Sequence, residues 1–91
     1  MKMRKIIVTG GSRGIGAEIV RRFSLNGDLV VFFYNNSETE AKRLAEETGA
    51  VALKADLSDP VSAEKAMEAA VVYLHGVDVL VNCAGVAQIK L

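Results

Sequence analysis

The sequence predicts an α/β fold, a doubly wound parallel sheet running β-α-β-α-β-α-β with strand order 3-2-1-4. Three observations predict it. The short runs Ile6–Val8, Leu29–Tyr34, Ala50–Ala55 and Val77–Val81 are near-continuously apolar rather than alternating, as in parallel strands covered on both faces. The segments between them repeat their apolar residues at helical spacing. The first run leads directly into a glycine-rich loop, Thr9-Gly10-Gly11-Ser12-Arg13-Gly14-Ile15-Gly16, ahead of the first helical pattern.

Lys5–Thr9 is the first strand and, being apolar through its middle, belongs at the centre of the sheet. The helix after it begins near Ile15. Ile15, Ile19, Val20 and Phe23 share one face, Glu18, Arg21 and Arg22 share the other, and Gly27 supplies the position just past the end. Leu29–Tyr34 is the second strand, broken by Asn35-Asn36-Ser37. Ser37-Glu38-Thr39-Glu40 has the form of a capping box, predicting a second helix over Glu38–Thr48 with Ala41, Leu44 and Ala45 inward and Gly49 at its end.

Ala50–Ala55 makes a short third strand. Beyond Asp56-Leu57-Ser58, Asp59 and Pro60 pair as N-cap and first helical residue, since proline lacks only an amide that a first turn leaves unbonded. The third helix turns Ala63, Ala66, Met67, Ala70, Val71 and Leu74 to one face and runs to Gly76. Val77–Val81 is the fourth strand, closing into Asn82-Cys83-Ala84-Gly85. Each helix is long enough to return the chain in parallel.

The chain has 91 residues, 51% hydrophobic and 24% charged, enough for one domain with a thin core. Eleven basic and eleven acidic residues cancel, which argues against nucleic acid or an acidic membrane surface as partner. The basic start, Met1 to Lys5, is followed by only three apolar residues, too few for a signal peptide. With a single cysteine, Cys83, no intramolecular disulfide or cysteine-cluster metal site is possible, and a cytoplasmic location is the expectation.

The loop is where a phosphate would sit. A strand that turns through glycines into a helix start gathers unpaired amides and the positive end of a helix dipole at one spot. The glycines do not fit G-x-G-x-x-G, and Ala17 stands where a Walker A loop needs lysine. They do fit T-G-x-x-x-G-x-G. With Asp56-Leu57 after the third strand and Asn82-Cys83-Ala84-Gly85 after the fourth, the sequence resembles the short-chain dehydrogenase/reductase family over nearly its whole length, and most resembles its bacterial 3-oxoacyl-acyl-carrier-protein reductase branch.

That resemblance implies a Rossmann-type fold in which residues 1–91 form the N-terminal portion of one nicotinamide-dinucleotide-binding domain. It implies that Gly10, Gly14 and Gly16 line the pyrophosphate with Ile15 at the helix start and Ser12 among the loop's cofactor-binding residues, that Asp56 and Leu57 meet the adenine, and that Asn82, Ala84 and Gly85 border the ribose and tie the fourth strand to the loop. Cys83 replaces the second asparagine of the usual N-N-A-G. The second strand ends in Tyr34-Asn35-Asn36-Ser37, with no acid before Glu38 to hold ribose hydroxyls, and Arg13 can pair with a 2′-phosphate. NADP(H) is therefore expected over NAD(H).

The family's chemistry uses Tyr-x-x-x-Lys, in which lysine lowers the pKa of a proton-donating tyrosine. Glu38 and Val77 follow Tyr34 and Tyr73 by four residues, so no catalytic residue is expected here and the chain alone is expected to be inactive. Two functions compete: an NADP(H)-dependent oxidoreductase represented by its cofactor-binding part, and a non-catalytic nucleotide-binding or regulatory module of the same ancestry. A methyltransferase reading would need an acid closing the second strand.

Plainer roles stand beside these. Arg13 can be a solvated cation, Asp56 a turn-former, Asn82 a structural residue, Cys83 a filler and His75 a helix-end residue suited to the dipole. Phe32, Phe33 and Met67 belong to the core and Arg21-Arg22 to a wet helix face. An open edge along the fourth strand predicts a homo-oligomer.

Overall fold

The structure, a computed structural model, describes residues 3–83. Its elements are β1 (Lys5–Thr9), α1 (Gly14–Leu25), β2 (Leu29–Tyr34), α2 (Glu38–Thr48), β3 (Val51–Lys54), α3 (Pro60–Leu74) and β4 (Val79–Asn82). The four strands form one wholly parallel sheet in the order β3-β2-β1-β4, as the sequence predicts. No helix among the described residues is long and apolar enough to cross a membrane.

The continuous apolar strands are explained by two cores. Ile6, Val8, Val30 and Phe32 pack with Ala17 and Val20 of α1 and Ala41 and Leu44 of α2. Their neighbours Ile7, Val31 and Phe33 pack with Ala66, Ala70 and Leu74 of α3. Phe32 and Phe33 therefore anchor opposite layers, each burial stabilising the fold by roughly 1.5–3 kcal/mol.

Five details differ from the sequence reading. Ile15 is 63% exposed, because it sits in the first turn of α1 beyond the strand end; Gly16, Ala17 and Val20 are the buried helix positions. Val71 is 37% exposed, one residue off the Ala66-Ala70-Leu74 stripe and so turned about 100° from it. The third strand is shorter at both ends than Ala50–Ala55. The fourth begins at Val79 because Asp78 is committed to β1, its amide donating to the Lys5 carbonyl (2.8 Å) and its carboxylate accepting from the Lys5 amide (2.8 Å).

The capping box also does not form. Ser37 has φ −96° and ψ 58°, off the extended geometry that aims an N-cap hydroxyl at the helix amides, and its side chain caps nothing. Glu38, in the same first turn, pairs with Lys42 at 2.9 Å. Asp59 does cap α3, accepting from the Val61 amide at 3.1 Å with Pro60 behind it. His75 closes α3 in the left-handed region (φ 61°), and the cation at that helix end is Lys5, whose Nζ donates to the His75 carbonyl at 2.9 Å.

Candidate dinucleotide-binding site

The glycine loop leaves β1 at the carboxyl end of the sheet, between β2, reached through α1, and β4, reached through α3 on the other face. That is the topological switch point, where sheets of this kind open a crevice for ligand. Gly10 and Gly14 take positive φ (67° and 59°), which lets the chain reverse and enter α1. The amide of Gly11 donates to the Phe33 carbonyl at 3.2 Å, fastening the loop to β2.

Gly14 and Gly16 are glycines for different reasons. A Cβ on Gly16 would overlap the Gly10 carbonyl oxygen and come within 2.9 Å of the Gly11 Cα, so this residue lets helix and loop touch. A Cβ on Gly14 would meet nothing within 4 Å. Its bare face looks onto open space at the helix start.

That helix start is unspent. Arg13, the N-cap of α1, is extended (φ −143°, ψ 162°), gives no side-chain cap, and is followed by no acid in the first turn. The first loop-to-helix bond runs from the Ala17 amide to the Arg13 carbonyl at 3.3 Å, so the amides of Gly14, Ile15 and Gly16 have no acceptor within the helix. Three amides, a dipole and an adjacent guanidinium suit an anion such as a pyrophosphate. Ser12 is half-buried in the loop; Arg13 and Ile15 are exposed beside it.

Asn82 stands opposite Thr9 in the β1–β4 register. Its Oδ1 accepts from the Thr9 hydroxyl at 2.7 Å while the Cys83 amide donates to the Thr9 carbonyl at 3.1 Å. Asn82 thus ties β4 to the root of the loop. Burial pushes the Cys83 thiol above its ordinary pKa, consistent with a filler rather than a nucleophile. Ala84 and Gly85 lie outside the described residues.

Asp56 folds back on its own turn: Oδ1 accepts from the Ser58 hydroxyl (2.6 Å) and the Ser58 amide (3.0 Å), while the Asp56 amide donates to the Ser62 hydroxyl (3.0 Å). The two Ser58 bonds hold its carboxyl below the ordinary Asp range. The side chain is exposed, and Oδ2 has no hydrogen-bond partner among the described residues. Asp56 is therefore a turn-former that can still accept from an amino group. Leu57 packs against the α3-side core.

Asn35 and Asn36 are exposed and Ser37 half-buried just past the end of β2. The structure thus gathers the residues following β1, β2, β3 and β4 at one edge. One contributor escaped the sequence reading. Gly11 is needed because a Cβ there would lie 2.7 Å from the Phe32 Cβ and 3.0 Å from Val20 Cγ2, for which the doubled glycine was a faint signal. Thr9, the T of the T-G-x-x-x-G-x-G loop, bonds across 73 positions to Asn82, the residue already expected to tie the fourth strand to the loop. A concavity lined by Arg21, Arg22 and Glu47 lies between α1 and α2, outside this edge, and its charges are paired with one another and with Glu18.

Comparison with known proteins agrees with this geometry. The short chain dehydrogenase family profile matches residues 4–91. The cyclic-di-GMP-binding biofilm dispersal mediator protein of Escherichia coli is 54% identical over 56 residues, covering 62% of this chain and 24% of that protein. The 3beta-hydroxysteroid dehydrogenase 1 of Eggerthella lenta is 38% identical over 91 residues, covering 94% of this chain and 35% of that protein.

Among solved structures, a short chain dehydrogenase from Burkholderia cenocepacia in complex with NADP is 34% identical with a TM-score of 0.81 over 85% of this chain and 34% of its own. BdcA in complex with NADPH is 45% identical with a TM-score of 0.75, covering 87% and 31%. A 3-ketoacyl-(acyl-carrier-protein) reductase from Brucella melitensis complexed with NADH is 32% identical with a TM-score of 0.77, covering 85% and 32%. The chain spans between about a quarter and a third of the length of these relatives. Sheet order, glycine loop and a match across residues 4–91 converge: the chain belongs to the short chain dehydrogenase family.

Proposed function

We propose that this chain binds the adenosine and pyrophosphate portion of a nicotinamide dinucleotide, NADP(H) in preference to NAD(H), for an oxidoreductase that interconverts carbonyls and alcohols. The observation that carries this reading is the uncapped, acid-free start of α1 beside the open face of Gly14. The amides of Gly14, Ile15 and Gly16 would hold the pyrophosphate, with Gly10 and Ser12 shaping the loop. Asp56 and Leu57 would meet the adenine, and Asn82, with Ala84 and Gly85, the ribose. The dinucleotide supplies hydride chemistry; these residues bind and orient it.

The cofactor preference rests on charge. Asn35, Asn36 and Ser37 offer no carboxylate to repel a 2′-phosphate, and Arg13 stands exposed at the loop. The NADP and NADPH complexes among the similar structures favour the same choice, while the NADH complex of the 3-ketoacyl reductase keeps the competitor in the test. Reduction of a 3-oxoacyl thioester is one substrate class this reading admits. Self-association along β4, where Leu80 is 55% exposed, belongs to the same reading.

The purified chain should quench or shift nicotinamide fluorescence on titration with NADPH, binding it more tightly than NADH, and Arg13→Ala should weaken NADPH by about tenfold while barely moving NADH. Equal or tighter NADH binding would sink the preference. The chain by itself should reduce no carbonyl, since it holds no Tyr-x-x-x-Lys. A second reading, a nucleotide-binding regulatory module without catalysis, is favoured by the relative described as cyclic-di-GMP-binding. Turnover by a longer form containing Tyr-x-x-x-Lys would decide against it.

A further inference from the structure

We propose that Lys54 is a second cation for the 2′-phosphate of the dinucleotide and acts with Arg13 to set the preference for NADP(H). This rests on the reading above that the glycine loop holds such a dinucleotide.

The end of β2 is held from both sides. From the β1 side, the Gly11 amide donates to the Phe33 carbonyl at 3.2 Å; from the β3 side, the Ala55 amide donates to the Tyr34 carbonyl at 2.8 Å. Arg13 follows the first anchor by two residues and Lys54 precedes the second by one. The fold therefore brings one cation up on each flank of Asn35-Asn36-Ser37. Lys54 is the register partner of Tyr34, the last residue of β2, and is exposed.

The charges around Lys54 favour an external anion. Arg4, Arg21, Arg22 and Lys42 each have a carboxylate within ion-pair distance. Among the described residues neither Arg13 nor Lys54 does. Glu38, at the start of α2, is bonded to Lys42 at 2.9 Å, and its carboxyl is held below the usual range by Lys42 first and more weakly by the charge of Lys54. Lys54, paired in register with Tyr34, lies one strand over from the β2–α2 junction, where Lys42 pairs with Glu38. Glu40 is the other acid of that turn, and Asp59 lines a concavity with Lys54. A 2′-phosphate placed at that junction gains from both Arg13 and Lys54; the hydroxyl of NAD(H) gains little.

The test is calorimetric titration of the whole chain with NADP⁺ and NAD⁺, comparing wild type with Lys54→Met, Lys54→Arg and Arg13→Ala. Lys54→Met should weaken NADP⁺ by about three- to tenfold, as expected for one exposed charge-assisted contact, and change NAD⁺ by less than about twofold. Lys54→Arg should restore NADP⁺ binding, and the gap between wild type and Lys54→Met should shrink at about 0.5 M salt. Undiminished NADP⁺ binding by Lys54→Met, with Arg13→Ala still impaired, overturns the role of Lys54 alone. Equal weakening of both cofactors assigns Lys54 to the fold and also overturns it. A wild-type chain that binds neither dinucleotide overturns the dinucleotide reading and this inference together.

Discussion

The two ends of the sheet use charge in opposite ways. At the amino ends of the strands, charges are spent on one another. Arg4 donates to Asp28 at 2.9 Å and lies 5.4 Å from the Phe23 ring centroid, Asp78 accepts from the Lys5 amide, and the Lys5 ammonium caps α3 at His75. At the carboxyl ends, the start of α1 is uncapped and Arg13 and Lys54 have no carboxylate partner among the described residues. One end is closed to hold the fold; the other leaves a helix start uncapped and two cations without a carboxylate among the described residues.

The sharpest way to break the open end is to separate its two kinds of glycine. Gly16→Ala forces a methyl into the Gly10 carbonyl, backbone against backbone, and should cost about 3 kcal/mol or more in urea unfolding. Gly14→Ala meets no atom but must hold φ 59°, which costs about 1–2 kcal/mol and no more. Its larger effect should be on NADPH, since the new methyl occupies the face where a pyrophosphate would approach. If both variants lose the same stability, the distinction between a packing glycine and a ligand-facing one fails.

The closed end is tested by acid. Asp28 is only 3% exposed at its side chain, and its carboxyl is held below the usual Asp range first by the hydrogen bond from Arg4. Because the folded pKa is depressed, the pair's contribution is whole above the ordinary Asp range and drains away as pH falls through the depressed value. Asp28→Asn keeps the shape and removes the charge. It should lower stability at neutral pH and flatten the acid limb of melting temperature against pH; an unchanged limb would show that other carboxylates carry it.

How much of this could be read in advance follows from how local each cause is. Strand and helix identities came from apolar spacing within about ten residues, and Gly10, Gly14 and Gly16 from eight contiguous positions, so these were legible. The start of β4 was not, because Asp78 answers to Lys5, 73 residues earlier. Ile15 carries the right spacing for a core face, but spacing does not say where the sheet beneath it stops. Asp56 and Asn82 were legible as candidate site residues, yet the Ser58 and Thr9 bonds that orient them arise only in the folded chain.

The smallest expected effect separates the helix starts themselves. α2 and α3 both begin with a residue type that caps helices, Ser37 and Asp59, and sequence rules treat them alike. Only the Asp59 side chain accepts from a helix amide; the Ser37 hydroxyl, at ψ 58°, reaches none. Asp59→Ala should therefore cost about 1 kcal/mol in chemical denaturation, the usual loss for a working cap, while Ser37→Ala should stay within about 0.3 kcal/mol of wild type. A cost at Ser37 equal to that at Asp59 would mean the capping box forms in solution. The hydroxyl would then be bound to the helix and withdrawn from any ligand at the β2–α2 junction.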